Sequence, residues 1–195
     1  MRAGLRLAAG VVLLLAACVT PPPPSPPPRT LSFTELEPIR LDVARAWTVV
    51  EYVPPFASPN VEHLVPVAPA AAARQWADDV LVPVGAGREA VFVVTDARVV
   101  EEAMAPTSWL KSLVQAAGEN RRYRVELEAR LEVRDAGRVL ASATASVALA
   151  RTFSDARSPT ARGYAWYDQV AQAIGEFDQA IRPEVARHLS PYLSR

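Results

Sequence analysis

From Tyr123 to Val133 the chain alternates without a miss. Tyr123, Val125, Leu127, Ala129, Leu131 and Val133 are apolar, and Arg124, Glu126, Glu128, Arg130 and Glu132 between them are charged. A period of two this strict fits a strand buried on one face and wetted on the other, so the domain needs a sheet with one covered and one open face. Asp135-Ala136-Gly137 then reads as a tight hairpin, with Gly137 suited to the left-handed position. The returning strand puts Val139, Ala141, Ala143, Ala145, Val147 and Leu149 on one side and Ser142, Thr144 and Ser146 on the other. Its small alanines leave room for a bulky element to lie across them. The last apolar stripe supplies one: Tyr167, Val170, Ile174, Phe177, Ile181 and Val185 recur at helical spacing behind a Ser158-Pro159 cap. Pro183 is expected to kink or restart that helix.

Upstream, Ile39, Leu41 and Val43 alternate with Arg40, Asp42 and Ala44, and Trp47 and Val49 continue the pattern, which predicts one strand to about Val53. Tyr52 to Pro66 carries Pro54, Pro55, Pro59 and Pro66, which exclude a central strand or a helix interior. The apolar Phe56, Val61 and Leu64 predict that this loop lies against the fold. Pro69 suits the first position of a helix whose narrow stripe is Ala72, Trp76 and Val80 with Ala73 and Ala77 beside them, stopped by Pro83 and Gly85. A further strand over Ala90 to Val100 is expected to face Val91, Val93, Thr95, Ala97 and Val99 one way. The order β-α-β-β-β-α predicts an α+β, two-layer sandwich: a four-stranded mixed sheet with two helices on one face. The crossover helix allows its flanking strands to be parallel, and the later strands are antiparallel.

Ahead of the domain, Arg2 and Arg6 precede an apolar run from Leu7 to Ala17 that is too short to span a bilayer and reads as an export signal. Leu15-Ala16-Ala17-Cys18 resembles the lipobox of bacterial lipoproteins. That resemblance implies diacylglycerol on the Cys18 sulfur, cleavage just before it and acylation of the new amine, a stable membrane anchor. Thr20 to Thr30 holds seven prolines, an extended spacer of roughly 30 Å at the polyproline rise. The expected layout is a lipoprotein signal peptide over 1–17, lipidated Cys18 with its spacer over 18–38, and a periplasmic domain over 39–195.

Without Arg2 and Arg6 the mature chain keeps 19 basic side chains against 21 acidic ones. That balance gives no electrostatic reason to expect nucleic acid. With Cys18, the only cysteine, committed to lipid, no thiol remains for a disulfide, a thiolate metal site or a nucleophile. His63 and His188 are the only histidines, and neither has ligands at zinc spacing. No G-x-S-x-G, H-E-x-x-H or glycine-rich phosphate loop is present. Asp78 and Asp79 point about 100° apart on a helix and cannot form a facing dyad. No catalytic residue, metal site or cofactor is expected, and the chain reads as a non-enzyme. An enzyme would need folding to bring His63 beside Glu62, Asp96 or a serine.

Two stretches are candidates for contact with a partner. Glu101 to Asn120 joins two strands by a long connection, in which Trp109, Leu110, Leu113 and Val114 share one side of a short helix between Ser108 and Gly118. These side chains either meet a partner or membrane, with Trp109 and Leu113 foremost, or fold back to cap the core. The loop Tyr52 to Pro66 is either a preorganised docking strip anchored by Tyr52, Phe56 and His63 or a cover over a sheet edge.

A lipobox, a proline spacer and this element order resemble the auxiliary lipoproteins of ABC-type envelope transport systems, and the order is similar to the lipoprotein plug of the lipopolysaccharide translocon. EYVPPFASPNVEHL and the following RQWADD also resemble uncharacterised lipoproteins of alphaproteobacteria. The resemblance carries over no active site. It implies an accessory or assembly subunit that docks an envelope protein partner. Val19 after the cysteine, where some bacteria use aspartate to retain a lipoprotein at the inner membrane, implies the periplasmic face of the outer membrane. A carrier of a lipid or other amphiphile, held between helices and sheet over Ala141, Ala143 and Ala145, is the alternative. A continuous apolar pocket there would favour the carrier and a filled core the docking protein.

Overall fold

In the computed structural model, residues 30–103, 120–154 and 158–194 are described. Cys18, the proline spacer, Trp109, Leu113 and the helix expected between Ser108 and Gly118 lie outside them. In chain order the elements are β1 (Ile39–Leu41), β2 (Arg45–Val50), α1 (Pro69–Val80), β3 (Leu81–Pro83), β4 (Glu89–Ala103), β5 (Asn120–Asp135), β6 (Arg138–Ser154) and α2 (Pro159–His188). The main sheet has the order β2-β4-β5-β6, with β2 and β4 parallel and the other pairs antiparallel. Both helices pack on its apolar face, which makes the α+β, two-layer arrangement the alternating pattern requires.

The strictly alternating segment is the centre of that sheet. All six apolar residues from Tyr123 to Val133 are buried, and the charged ones point to the open face. The hairpin turns through Ala136 and Gly137, both left-handed with φ of 46° and 80°, the backbone a two-residue turn between twisted strands needs. Ala143 and Ala145 are buried beneath α2, whose Val170, Ile174, Phe177, Ile181 and Val185 are all buried. The Ser158 side chain accepts from the Ala161 N–H at 3.2 Å and caps α2 as expected. Trp76 of α1, Phe92 of β4 and Phe177 of α2 meet with ring centroids 5.2, 5.3 and 5.9 Å apart. These three rings join both helices to the sheet.

Alternation misplaces several faces where the backbone breaks step. The single strand expected from Ile39 to Val53 is two strands in two sheets, because the chain bends at Asp42–Ala44 and Gly85 packs against the bend. The Gly85 N–H donates to the Val43 carbonyl at 2.9 Å. The bend moves the core face onto Ala46 and Val50, so Trp47 and Val49 turn to the open side and Trp47 is 42% exposed.

Strand β4 behaves similarly. Ala90, Phe92 and Val94 face the helices, and Val91 and Val93 face the other way, opposite Glu132 and Arg130. A bulge between Val94 and Asp96 then restores Ala97 and Val99 to the core. The Thr95 hydroxyl, at the bulge, donates to the Glu128 carbonyl at 3.1 Å. The register shift after Val133 turns Val139 out to the exposed surface in the same way.

Other departures come from packing that periodicity does not register. Helix α1 passes directly into β3, which pairs in parallel with β1 as a second small sheet. The C-terminal residues lie along that sheet: Asp42 N–H donates to the Tyr192 carbonyl at 2.8 Å, and Ser194 N–H to that of Arg40 at 3.0 Å. Helix α2 continues through Pro183 to His188 without restarting. Pro183 is exposed, so its ring and the carbonyl it leaves unbonded face water. Packing also begins ahead of Ile39, since Phe33 is buried and its N–H donates to Asp79 Oδ2 at 2.7 Å.

Candidate functional site

Strand β2 ends at Val50 while β4 runs on to Ala103, so among the described residues the second half of β4 has no strand beside it on that edge. The loop from Tyr52 to Pro66 takes that place. Asn60 bridges Val100, the Val61 N–H donates to the Val99 carbonyl at 2.8 Å, and the Glu101 N–H donates to that of Pro59 at 2.8 Å. Val61 and Val65 are buried beneath it. The edge is therefore covered, as one of the two readings of this loop requires.

Its inner rim is also tied by a buried carboxylate. Glu62 is 2% exposed; Oε1 accepts from the Tyr52 hydroxyl at 3.1 Å and Oε2 from the Val99 N–H at 3.4 Å. Burial above all, then the charge of Glu62 and the hydrogen bond to it, push the Tyr52 phenol well above its ordinary range. Tyr52 thus holds its proton and fastens the loop from within. Asp96 nearby is raised by burial, against the lowering effect of Arg98, whose Nη2 lies 3.2 Å from Asp96 Oδ2.

The outer rim is apolar and exposed. Phe56 is 68% exposed and Leu64 56%, and Val53 is exposed as well. The Phe56 and His63 rings meet at 5.6 Å between centroids. Phe56 has φ of 52°, left-handed backbone in a bulky non-glycine residue, which costs about 1–2 kcal/mol. Of the residues expected to hold the loop down, Val61 does so; Phe56 and Leu64 point away. The structure brings Phe56 and His63 together on the outside and turns Tyr52 inward. The segment NVEHLV has no alternation that could have signalled Val61 and Val65 as inward, and the left-handed turn at Phe56 leaves no mark in the sequence either.

No family model, curated protein or solved structure matches this chain. The functional reading therefore rests on the residues themselves. His63 faces Phe56 and solvent, and Glu62 turns the other way, so folding does not join them. His188 Nε2 lies 3.3 Å from Glu184 Oε2 at the exposed end of α2. Asp79 is held by the Gln75 amide at 2.9 Å and by Phe33. Among the described residues no group of three or more His, Cys, Asp and Glu could hold a metal, and no helix is long and apolar enough to cross a membrane.

The open face of the sheet is laced with ion pairs. Arg45 meets Glu89 at 2.7 Å, Arg98 meets Glu126 at 2.6 Å, and Arg124 meets Glu102 at 2.8 Å. Arg130 reaches both Glu51 and Glu132, and Arg134 reaches Glu132. Opposite charges in cross-strand register neutralise one another, so this face offers no field of one sign. Surface clefts of about 230, 250 and 310 Å³ lie beside β2, over Asp96 and Arg98, and between Arg40 and Arg182. None of the three lies between the helices and Ala141, Ala143 and Ala145.

Proposed function

We propose that this chain is a non-enzymatic, lipid-anchored accessory protein of the cell envelope. It sits on the periplasmic face of the outer membrane through Cys18 and docks a protein partner of a transport or biogenesis complex. The docking surface is the outer rim of the Tyr52–Pro66 loop: Val53, Phe56, His63 and Leu64. The observation that carries this reading is an exposed phenylalanine at positive φ on a loop whose other rim is pinned to β4. An apolar group held rigidly in water pays little entropy on binding and gains area when covered. The lipobox resemblance and the proline spacer support the location, and the Trp76–Phe92–Phe177 packing favours docking over a ligand carrier.

The test is a photoreactive residue at position 56 in the full-length chain, expressed in its native cells. It is expected to capture one envelope protein, and the same probe at exposed Arg74 is expected not to. Equal capture at both positions would remove the loop from the reading. Membrane fractionation with Cys18→Ser tests the anchor separately, with release from the membrane the expected result.

A further inference from the structure

Strand β2 is an edge strand of the main sheet. The Glu51 N–H donates inward to the Val94 carbonyl at 2.9 Å. Alternation along a parallel ladder therefore turns the N–H and C=O of Ala46, Thr48 and Val50 away from β4, toward the free edge of the sheet. A cleft of about 230 Å³ runs beside these groups, lined by Ala46, Trp47 and Thr48 of β2, Ala77 and Asp78 of α1, and Leu81 and Pro83 at the two ends of β3. The Thr48 hydroxyl oxygen is buried and has no hydrogen-bond partner among the described residues. Buried hydroxyls in native proteins are normally bonded, and leaving one unmet costs free energy that an arriving polar group would recover. Trp47 is half exposed on one side of the edge, and Asp78 on the other is an exposed carboxylate with no ion-pair partner among the described residues.

We infer that this cleft binds an extended segment of a protein partner, which adds a strand to β2 and places a basic side chain against Asp78. The parts have separate tasks. Backbone groups of Ala46, Thr48 and Val50 supply a sequence-independent ladder, a χ1 turn of Thr48 that brings its buried hydroxyl to the cleft lets it take one further polar group, and Trp47 covers an apolar side chain. Asp78 sets the sign of the preferred charge. A strand added here would lie about 4.8 Å from β2, between it and the flank of α1. The inference does not depend on the Phe56 loop, and the two are tested apart.

The probe is a capped heptapeptide alternating valine with lysine and threonine, titrated into isotope-labelled full-length protein in detergent. The expected result is movement of the amide signals of Ala46, Thr48 and Val50. Methylating alternate peptide nitrogens is expected to weaken binding about tenfold, and replacing lysine by glutamate to weaken it up to about fivefold. Asp78→Asn is expected to abolish the lysine preference and leave the amide shifts in place. Thr48→Val is expected to weaken the peptide while raising the melting temperature of the free protein, two opposite effects that a purely structural threonine would not give. Shifts confined to β6, indifference to nitrogen methylation, or no shift at about 1 mM peptide, a generous excess for a peptide-recognition site, would each overturn the inference. A dimer in sedimentation that the peptide dissolves would assign the edge to a second copy and overturn it as well.

Discussion

Asp178 tests whether the two helices and the N-terminal segment are held by one buried polar clamp. It accepts from the Trp76 indole N–H at 2.9 Å and from Arg182 Nε and Nη2 at 2.7 and 2.9 Å. Arg182 Nη2 also donates to the Glu37 carbonyl at 2.7 Å. Trp76 is fully buried and Asp178 nearly so, whereas the Arg182 side chain is 28% exposed. Asp178→Ala strands the indole N–H away from water, at about 1–3 kcal/mol. It also unpairs Arg182, but solvent reaches that guanidinium, so the loss falls below the 3–5 kcal/mol typical of a fully buried pair. About 3 kcal/mol in total is expected, or a melting temperature lower by about 6–12 °C for a domain of this size. Asp178→Asn keeps an oxygen for Trp76 and gives up only the charge, at about 1–2 kcal/mol. Urea unfolding followed by far-ultraviolet circular dichroism measures both, with the slope unchanged if only the folded state is affected. Equal losses in the two variants, or less than about 1 kcal/mol for alanine, would refute the clamp.

Four further outcomes are expected. Gly85→Ala would place a Cβ 2.6 Å from the Asp42 carbonyl carbon and the Val43 nitrogen and against the Asp42 carboxylate; backbone cannot yield cheaply, so a loss of about 2–3 kcal/mol is expected in the same urea assay. Ala136→Asn puts a residue tolerant of left-handed backbone where φ is 46°, for a gain of about 0.5–1 kcal/mol in thermal unfolding. Phe56→Asn relieves the same kind of strain, so stability is expected to rise by about 0.5–1 kcal/mol while photocapture from the neighbouring His63 position falls. At Glu132 burial opposes the charge, but hydrogen bonds from Arg130 and Arg134 outweigh it and hold the carboxyl below its ordinary value of 4.5. Its contribution is therefore present above that pH and lost as pH falls through the lower folded value, so Glu132→Gln is expected to cost about 1 kcal/mol at neutral pH and progressively less in acid.

The fold was legible wherever a residue's neighbours in sequence decided its face. Tyr123 to Val133 showed core and water sides plainly because every other residue is charged. Trp76 and Phe177 stood out as the large members of otherwise small stripes. The same reasoning failed over Val91, Val93 and Trp47 for a physical reason. An apolar residue on each side of a strand leaves alternation nothing to choose between, and one bulge or bend then reverses the assignment without altering the pattern. The bends are set at a distance, by Gly85 closing on Asp42 and by the β4–β5 register at Thr95. Strand β3 was hidden because its partner β1 lies 42 residues away and its three residues LVP carry no period. At the candidate site, prolines and aromatics marked the loop, but the inward turn of Tyr52 follows from Glu62 and from nothing adjacent to Tyr52 itself.

The geometry of β4 separates what this loop must do from what it need not do. A strand that outruns its neighbour by half its length exposes a row of backbone groups, and some segment has to cover them. The Pro59–Val61 backbone, Val61, Val65 and the Tyr52–Glu62 bond accomplish that with inward-facing groups alone. Nothing in the covering task calls for Phe56, Leu64 and Val53 on the water side, and a polar rim would have served at lower hydration cost. Nor does it call for a phenylalanine where asparagine or glycine would carry less strain. On the proposed function, that outer rim is what a docking partner would cover. Because the inner rim fixes the backbone, such a partner would meet the aromatic group already in place.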